Sequence, residues 1–206
     1  MTDVATDTRG RGRPREFDEE QVLDSLVDLF WERGYEDASL SDIVAAAGLN
    51  KSSLYNTFGS KDELFFTVLE RYMDFRMQML DGALEAGGGI EQIDTFIGFM
   101  RVEVASEGGA RGCLAVNACT ELGLRDDRAA DLAARYRELL GSRLGAALTV
   151  AGERGEIDAA LVGTYTDILV GFAISVSVAA RSGASRDELN RQIDSLAALT
   201  QTWRTD

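Results

Sequence analysis

Lys51 and Lys61 are the only two lysines in a chain with 21 basic and 35 acidic residues and a formal net charge of −14. They fall within eleven residues of each other, one at the start of a short helical segment and one at the start of the next. In an acidic protein that otherwise uses arginine, this is a local electrostatic footprint whose spacing suits two phosphates flanking a nucleic-acid groove. A solvated helix face is the other reading of the same pair. Overall acidity works against indiscriminate adhesion to nucleic acid or to an anionic membrane, so contact with DNA has to come from a local basic feature. Arg9-Gly-Arg-Gly-Arg-Pro-Arg15 is a second such feature. Arginines spaced by glycine and held extended by proline suit the narrow minor groove of A·T-rich DNA, with Arg11 and Arg13 at its centre, although a solubilising tail has the same composition.

Other chemistries are closed off. The chain has no histidine, which excludes Ser-His-Asp and Cys-His catalysis and the His-bearing zinc and haem sites. No catalytic residue, metal site or cofactor is expected. Cys113 and Cys119 are too few for a disulfide scaffold. Six positions apart on one helix, they lie about 9 Å apart along the axis and about 240° around it, too far to bridge. The N-terminus MTDVATDTRG has no apolar core of a signal peptide, so a reducing cytoplasm is the expected compartment. Ala159 to Ala180 is about long enough to cross a bilayer. Asp167 near its centre would cost roughly 2.5–3.5 kcal/mol there, and Thr164, Thr166, Ser175 and Ser177 dilute it further. A helix buried on several sides, in a core or at a subunit interface, fits better, and no membrane partner is expected.

The elements that position these residues read as helices throughout. The 206 residues, 45% apolar and 27% charged, suffice for one large domain or a small one joined to a medium one, and the single proline, Pro14, precedes every periodic segment. From Asp18 to Arg33, Val22, Leu26, Leu29 and Phe30 recur at helical spacing, with acids in the first turn and Arg33 in the last. Gly34 closes that helix. Ser39 with Asp42 opens a short one over Leu40 to Ala47, Gly48 and Leu49 turn, Asn50 caps Lys51 to Phe58, and Ser60 with Glu63 starts a long helix to about Leu80. Gly87-Gly88-Gly89 breaks the pattern; with no strand before it, it reads as a turn and not a phosphate loop. Helices are then expected at Ile90–Glu107, Gly112–Leu122, Asp127–Arg154, Asp158–Ala180 and Arg186–Arg204.

Two short helices joined by a glycine-containing turn, with a supporting helix before and a long one after, form a helix-turn-helix layout. Ile43, Ala47, Leu49 and Leu54 can pack inward, which leaves Lys51, Ser52, Ser53, Tyr55, Asn56 and Thr57 largely on the other faces. The residues from Phe30 to Leu69, centred on SLSDIVAAAGLNKSSLYNTFGSKDELFFTVL, resemble the N-terminal domain of the TetR/AcrR family of transcriptional regulators. The likeness rests on Ala46-Ala47-Gly48-Leu49 followed by Leu54-Tyr55, Phe58, Ser60-Lys61 and Leu64, and covers about the first third of the chain. It implies an all-α homodimer, most often a repressor, that binds a double-stranded palindromic operator and is released by a small-molecule effector. It places Asn50, Tyr55 and Lys61 at phosphates and Lys51, Ser53 and Asn56 at bases, with Ser39, Ser52 and Thr57 on the same surface. The family usually has Ser or Thr where Asn50 stands and commonly histidine at Asn56 or Thr57, so base preference does not carry over. The short run Arg11-Gly12-Arg13-Pro14 is similar to the core of an AT-hook.

The resulting division is a flexible basic arm over 1–16, a DNA-binding domain over 17–62 and a ligand-binding and dimerisation domain over 63–206. In the last, Cys113, Asn117, Thr120 and Glu121 share one face of the expected Gly112–Leu122 helix. That stripe either lines a ligand pocket with Phe96, Phe99 and Met100, or faces water and a neighbouring helix. For the dimer, Leu161, Tyr165, Ile168, Leu169, Phe172 and Val176 with Leu189, Ile193, Leu196 and Trp203 are the candidate apolar contact, closed as a four-helix arrangement. A helical enzyme would have only acid pairs or Cys113 to work with, and a protein-interaction module would leave the two lysines and the arginine arm without a purpose.

Overall fold

A computed structural model describes residues 17–84 and 88–205, all of it helical apart from turns and one isolated bridge between Ile157 and Arg204. The arm residues Arg11 and Arg13 lie outside the described residues. The first three helices are α1 (Glu19–Arg33), α2 (Leu40–Ala47) and α3 (Lys51–Phe58). Each starts where a short polar side chain satisfies free N–H groups: Asp18 accepts from Glu20 and Gln21, Ser39 and Asp42 form a reciprocal box, and Asn50 Oδ1 accepts from the Ser53 N–H at 2.8 Å. Gly48, at φ +62°, supplies the left-handed residue that turns α2 into α3.

The long helix α4 (Lys61–Leu84) serves both halves of the molecule. Its first turns bury Leu64, Phe65 and Leu69 with Leu26 and Phe30 of α1, Ile43 of α2 and Leu54 of α3; the Phe30 and Phe65 rings meet edge to face at 5.0 Å. Its later turns bury Met73, Met77, Leu80 and Leu84 in a second bundle. That bundle comprises α5 (Ile90–Ala105), α6 (Leu114–Leu122), α7 (Asp127–Glu153), α8 (Val162–Arg181) and α9 (Arg186–Gln201), with 3₁₀ turns at Gly109–Arg111 and Ala159–Leu161. The division drawn at residue 62 falls inside α4.

Helix α6 is shorter than its periodicity suggests. Gly112 takes φ +67°, and a Cβ there would lie 2.4 Å from the Ser177 carbonyl oxygen on α8. The chain passes α8 too closely for a side chain, and Cys113 is extended, accepting the Asn117 N–H as the residue before the helix.

Seven of the ten residues expected at a dimer contact are already covered by the protomer's own packing. Tyr165, Leu169, Val176, Leu189, Ile193, Leu196 and Trp203 are buried within one protomer. The α9 stripe packs on α5, and Tyr165 stacks on Trp203 at 4.1 Å between ring centres. Leu161, Ile168 and Phe172 are only partly covered, and the face left open on α8 runs through Thr164, Asp167, Gly171, Ser175 and Val178. Only 22% of the most apolar window of Ala159–Arg181 is buried, although its length and mean hydropathy of 1.6 would suit a membrane span.

Three carboxylates sit below their ordinary range: Asp42 through hydrogen bonds from Ser39, Glu63 through the Ser60 N–H, and Asp81 through the Arg143 guanidinium. Depressed values mean that their stabilisation is present at neutral pH and is lost as pH falls through about 4 toward the lower folded-state values. Urea-unfolding midpoints should therefore be flat from about pH 7 to 5 and fall below about 4, and the fall should be smaller in Glu63→Gln; an unchanged acid profile in that variant would contradict the assignment.

Candidate nucleic-acid interface and an adjoining cavity

Leu54 is fully buried and Phe58 packs partly buried against the core, so α3 is held along one face and shows the others outward. Lys51, Ser52 and Asn56 are exposed, and Ser53, Tyr55 and Thr57 half-exposed. No acidic residue occurs between Asp42 and Asp62, so this outward surface combines hydroxyls, amides and ammonium groups with no opposing charge of its own. Lys51 Nζ lies 5.7 Å from the centre of the Tyr55 ring and Lys61 Nζ 4.5 Å from that of Tyr35. Burial and an adjacent Asp62, whose carboxylate accepts its hydroxyl, push the Tyr35 phenol up to about 12, so it stays neutral beneath Lys61. Ser39 is exposed, with its hydroxyl tied to Asp42 and to Ser41 Oγ. Its hydroxyl does capping work first.

A cavity of about 80 Å³ opens in the second bundle, walled by Met77, Leu80, Phe96, Phe99, Met100 and Leu140 among its apolar side chains. Of the residues expected to line a pocket, the structure brings Phe96, Phe99, Met100 and Cys113 to this wall. The other three go elsewhere. Asn117 is buried and donates to the Arg111 carbonyl at 2.8 Å, which fixes the 3₁₀ turn; Thr120 is exposed and donates to the Asn117 carbonyl; Glu121 points at the first domain. With Cys113 extended, the four no longer share one helical face. Both cysteines are free, and burial pushes the Cys119 thiol up to about 11.

The polar end of the cavity was not read from the sequence. Arg76 and Glu103 form a bidentate ion pair on its wall, the Phe99 ring lies 5.3 Å from the guanidinium carbon, and Cys113 Sγ contacts Tyr136 Oη at 3.4 Å. No motif announces Arg76, Glu103 and Tyr136, because they come from three different helices, α4, α5 and α7.

The same wall joins the first domain. Trp31, in the last turn of α1, lines the cavity and donates its indole N–H to the Gly112 carbonyl at 3.0 Å. Arg111 stacks on that indole at 4.1 Å and pairs with Asp28. Arg181, at the end of α8, donates to the Trp31 and Glu32 carbonyls at 3.0 and 3.1 Å, satisfying acceptors that the end of α1 leaves free. Glu121 accepts the N–H groups of Tyr35 and Glu36 at 3.1 and 2.7 Å. Gly34, at φ +83°, lets the chain approach, since a Cβ there would sit 2.7 Å from Glu121 Oε2. The C-terminal end of α1 is thus clamped by α6 and α8 next to the cavity.

Residues 22–68 match the family model described as bacterial regulatory proteins, tetR family. The chain is 31% identical over 195 residues to the HTH-type transcriptional repressor ComR of Escherichia coli, covering 90% of this chain and 92% of ComR. It is 29% identical over 196 residues to the transcriptional regulator YezE of Bacillus subtilis, 91% of this chain and 99% of that protein. Among solved structures, a cysteine-substituted form of the TetR-family regulator CifR in complex with a 26-base-pair operator duplex superposes with a TM-score of 0.78 at 26% identity, over 93% of this chain and all of that one.

Proposed function

The chain belongs to the TetR family of DNA-binding transcriptional regulators, and from that premise we propose that it is a cytoplasmic repressor that binds a palindromic operator as a homodimer and is released by a small apolar or aromatic effector. The observation that carries the DNA-binding part is the acid-free, outward surface of α3, with Lys51 at its start and Lys61 at the start of α4. Lys51, Ser53 and Asn56 would meet base edges, Asn50, Tyr55 and Lys61 phosphates, and the basic arm the flanking minor groove. Residues 63–206 would hold effector and dimer contact. Repression is supported by the likeness to ComR, and operator binding by that to operator-bound CifR.

Release would follow from the shared wall. A molecule that fills the cavity presses on Trp31, Gly112 and Cys113, and those residues belong to or adjoin the clamp on α1. If it favours an α1 orientation that mis-spaces the two α3 helices, operator affinity must fall by the same linkage factor. The open face of α8 supports a second copy as its cover, because small residues there permit close helix approach.

The test contrasts the two lysines. Lys51→Ala should lose discrimination as well as affinity, a good base contact being worth about 1–3 kcal/mol. Lys61→Ala should weaken specific and random duplexes alike and lower the salt slope by about one unit. Fluorescence anisotropy against both duplexes over a salt series reads the difference; equal losses on both duplexes for both variants would contradict the assignment.

A further inference from the structure

Resting on the assignment of Lys61 to a DNA phosphate, we infer that Tyr35 is a positioning residue for that contact. Its ring holds the Lys61 ammonium at the duplex-facing surface, and Glu121, which holds the Tyr35 backbone, ties the contact to α6. Lys61 Nζ lies 4.5 Å from the centre of the Tyr35 ring. Arginines on and beside the first domain are held differently: Arg33 pairs with Asp42, Arg71 with Asp24, Arg111 with Asp28 and Arg125 with Glu36. A carboxylate partner offsets the charge it holds. A ring face attracts an ammonium and leaves its charge and N–H donors available to a phosphate. The flexible lysine stem is thereby restricted before DNA arrives, which lowers the entropy lost on contact.

The ring is itself fixed from three directions. Its edge meets Phe65, buried in the core, at 5.0 Å between ring centres. Its hydroxyl donates to Asp62, which gives the carboxylate next to Lys61 in sequence a partner other than Lys61. The Tyr35 N–H donates to Glu121 Oε2 at 3.1 Å. A shift of α6 relative to α1 therefore moves the turn that carries the ring, and with it the Lys61 charge, while α3 keeps its own shape.

The experiment uses the full chain labelled with carbon-13 at lysine, which gives two CεH2 signals because the chain has two lysines. Lys61→Ala removes one signal and so assigns both. Ring current from Tyr35 should place the Lys61 signal upfield of free lysine, and Glu121→Ala should move it downfield while the Lys51 signal stays in place. Binding to a random-sequence duplex at low salt is read by fluorescence anisotropy. Tyr35→Leu should weaken it about two- to fivefold and reduce the salt slope. Tyr35→Phe, which keeps the ring, should rescue that loss, and Tyr35→Leu should add nothing to Lys61→Ala. A Lys61 signal at the free-lysine position, parent-like binding by Tyr35→Leu, no rescue by Tyr35→Phe, or a further loss in the Lys61→Ala background would each overturn the positioning role. Should Tyr35→Leu not fold, the Lys61 signal of the parent chain still decides. A Lys61 signal indifferent to Glu121→Ala would overturn the tie to α6. Parent-like duplex binding by Lys61→Ala would instead overturn the phosphate assignment on which the inference rests.

Discussion

Gly171→Arg is expected to give a folded monomer that binds a two-half-site operator about 100-fold or more weakly than the parent chain, because linkage of two DNA-reading heads contributes about that much avidity. Gly171 is exposed near the middle of the open face of α8, and a Cβ built on it meets nothing within 4 Å in the protomer. An arginine therefore projects into the space a second copy would fill while the fold around it is undisturbed. Ile193→Arg is the control, for Ile193 is fully buried against α5 and a charge there should unfold the bundle. Sedimentation velocity separates the cases. A Gly171→Arg protein that remains dimeric would place the interface elsewhere.

Glu121→Ala should have the second large effect, on geometry more than on stability. Removing the carboxylate releases the Tyr35 and Glu36 N–H groups, at a cost of about 1–2 kcal/mol for partly exposed charge-assisted bonds. The first domain then loses one of the long-range ties that fix α1 to the second bundle, and the distance between the two α3 helices of a dimer becomes variable. One added base pair moves a half-site by about 3.4 Å and rotates it by about 35°. The parent should discriminate against such an operator by about tenfold or more, and Glu121→Ala by less than about threefold. Equal discrimination in gel-shift titrations would show that Glu121 is not a spacing element.

The head was legible in the sequence because its determinants are local. Asp18, Ser39, Asn50 and Ser60 start helices within three residues of themselves, Gly48 turns the chain where a left-handed residue is required, and Leu54 anchors α3 by simple periodicity. The second bundle was legible as helices and not as surfaces. Leu189, Ile193 and Leu196 form an apolar stripe whichever surface covers it, and periodicity cannot tell a protomer's own α5 from a second copy. Glu121 shares helical spacing with Asn117, yet its partners lie 85 and 86 residues away, and Arg181 reaches Trp31 across 150 residues. Such contacts exist only once the helices have packed. Gly112 and Cys113 read as the start of a helix because nothing local says that α8 passes too closely for a side chain.

On the proposed reading, two α3 helices, spaced by the α8 contact and the clamp on α1, read a symmetric duplex. Selection of binding sites from a randomised duplex library with the full-length protein tests it most directly. The expected result is enrichment of an inverted repeat whose half-sites are separated by a fixed spacing on one face of the duplex, with loss of the repeat for Gly171→Arg and relaxed spacing for Glu121→Ala. Enrichment of a single unpaired half-site by the parent protein, or no enrichment at all, would contradict it.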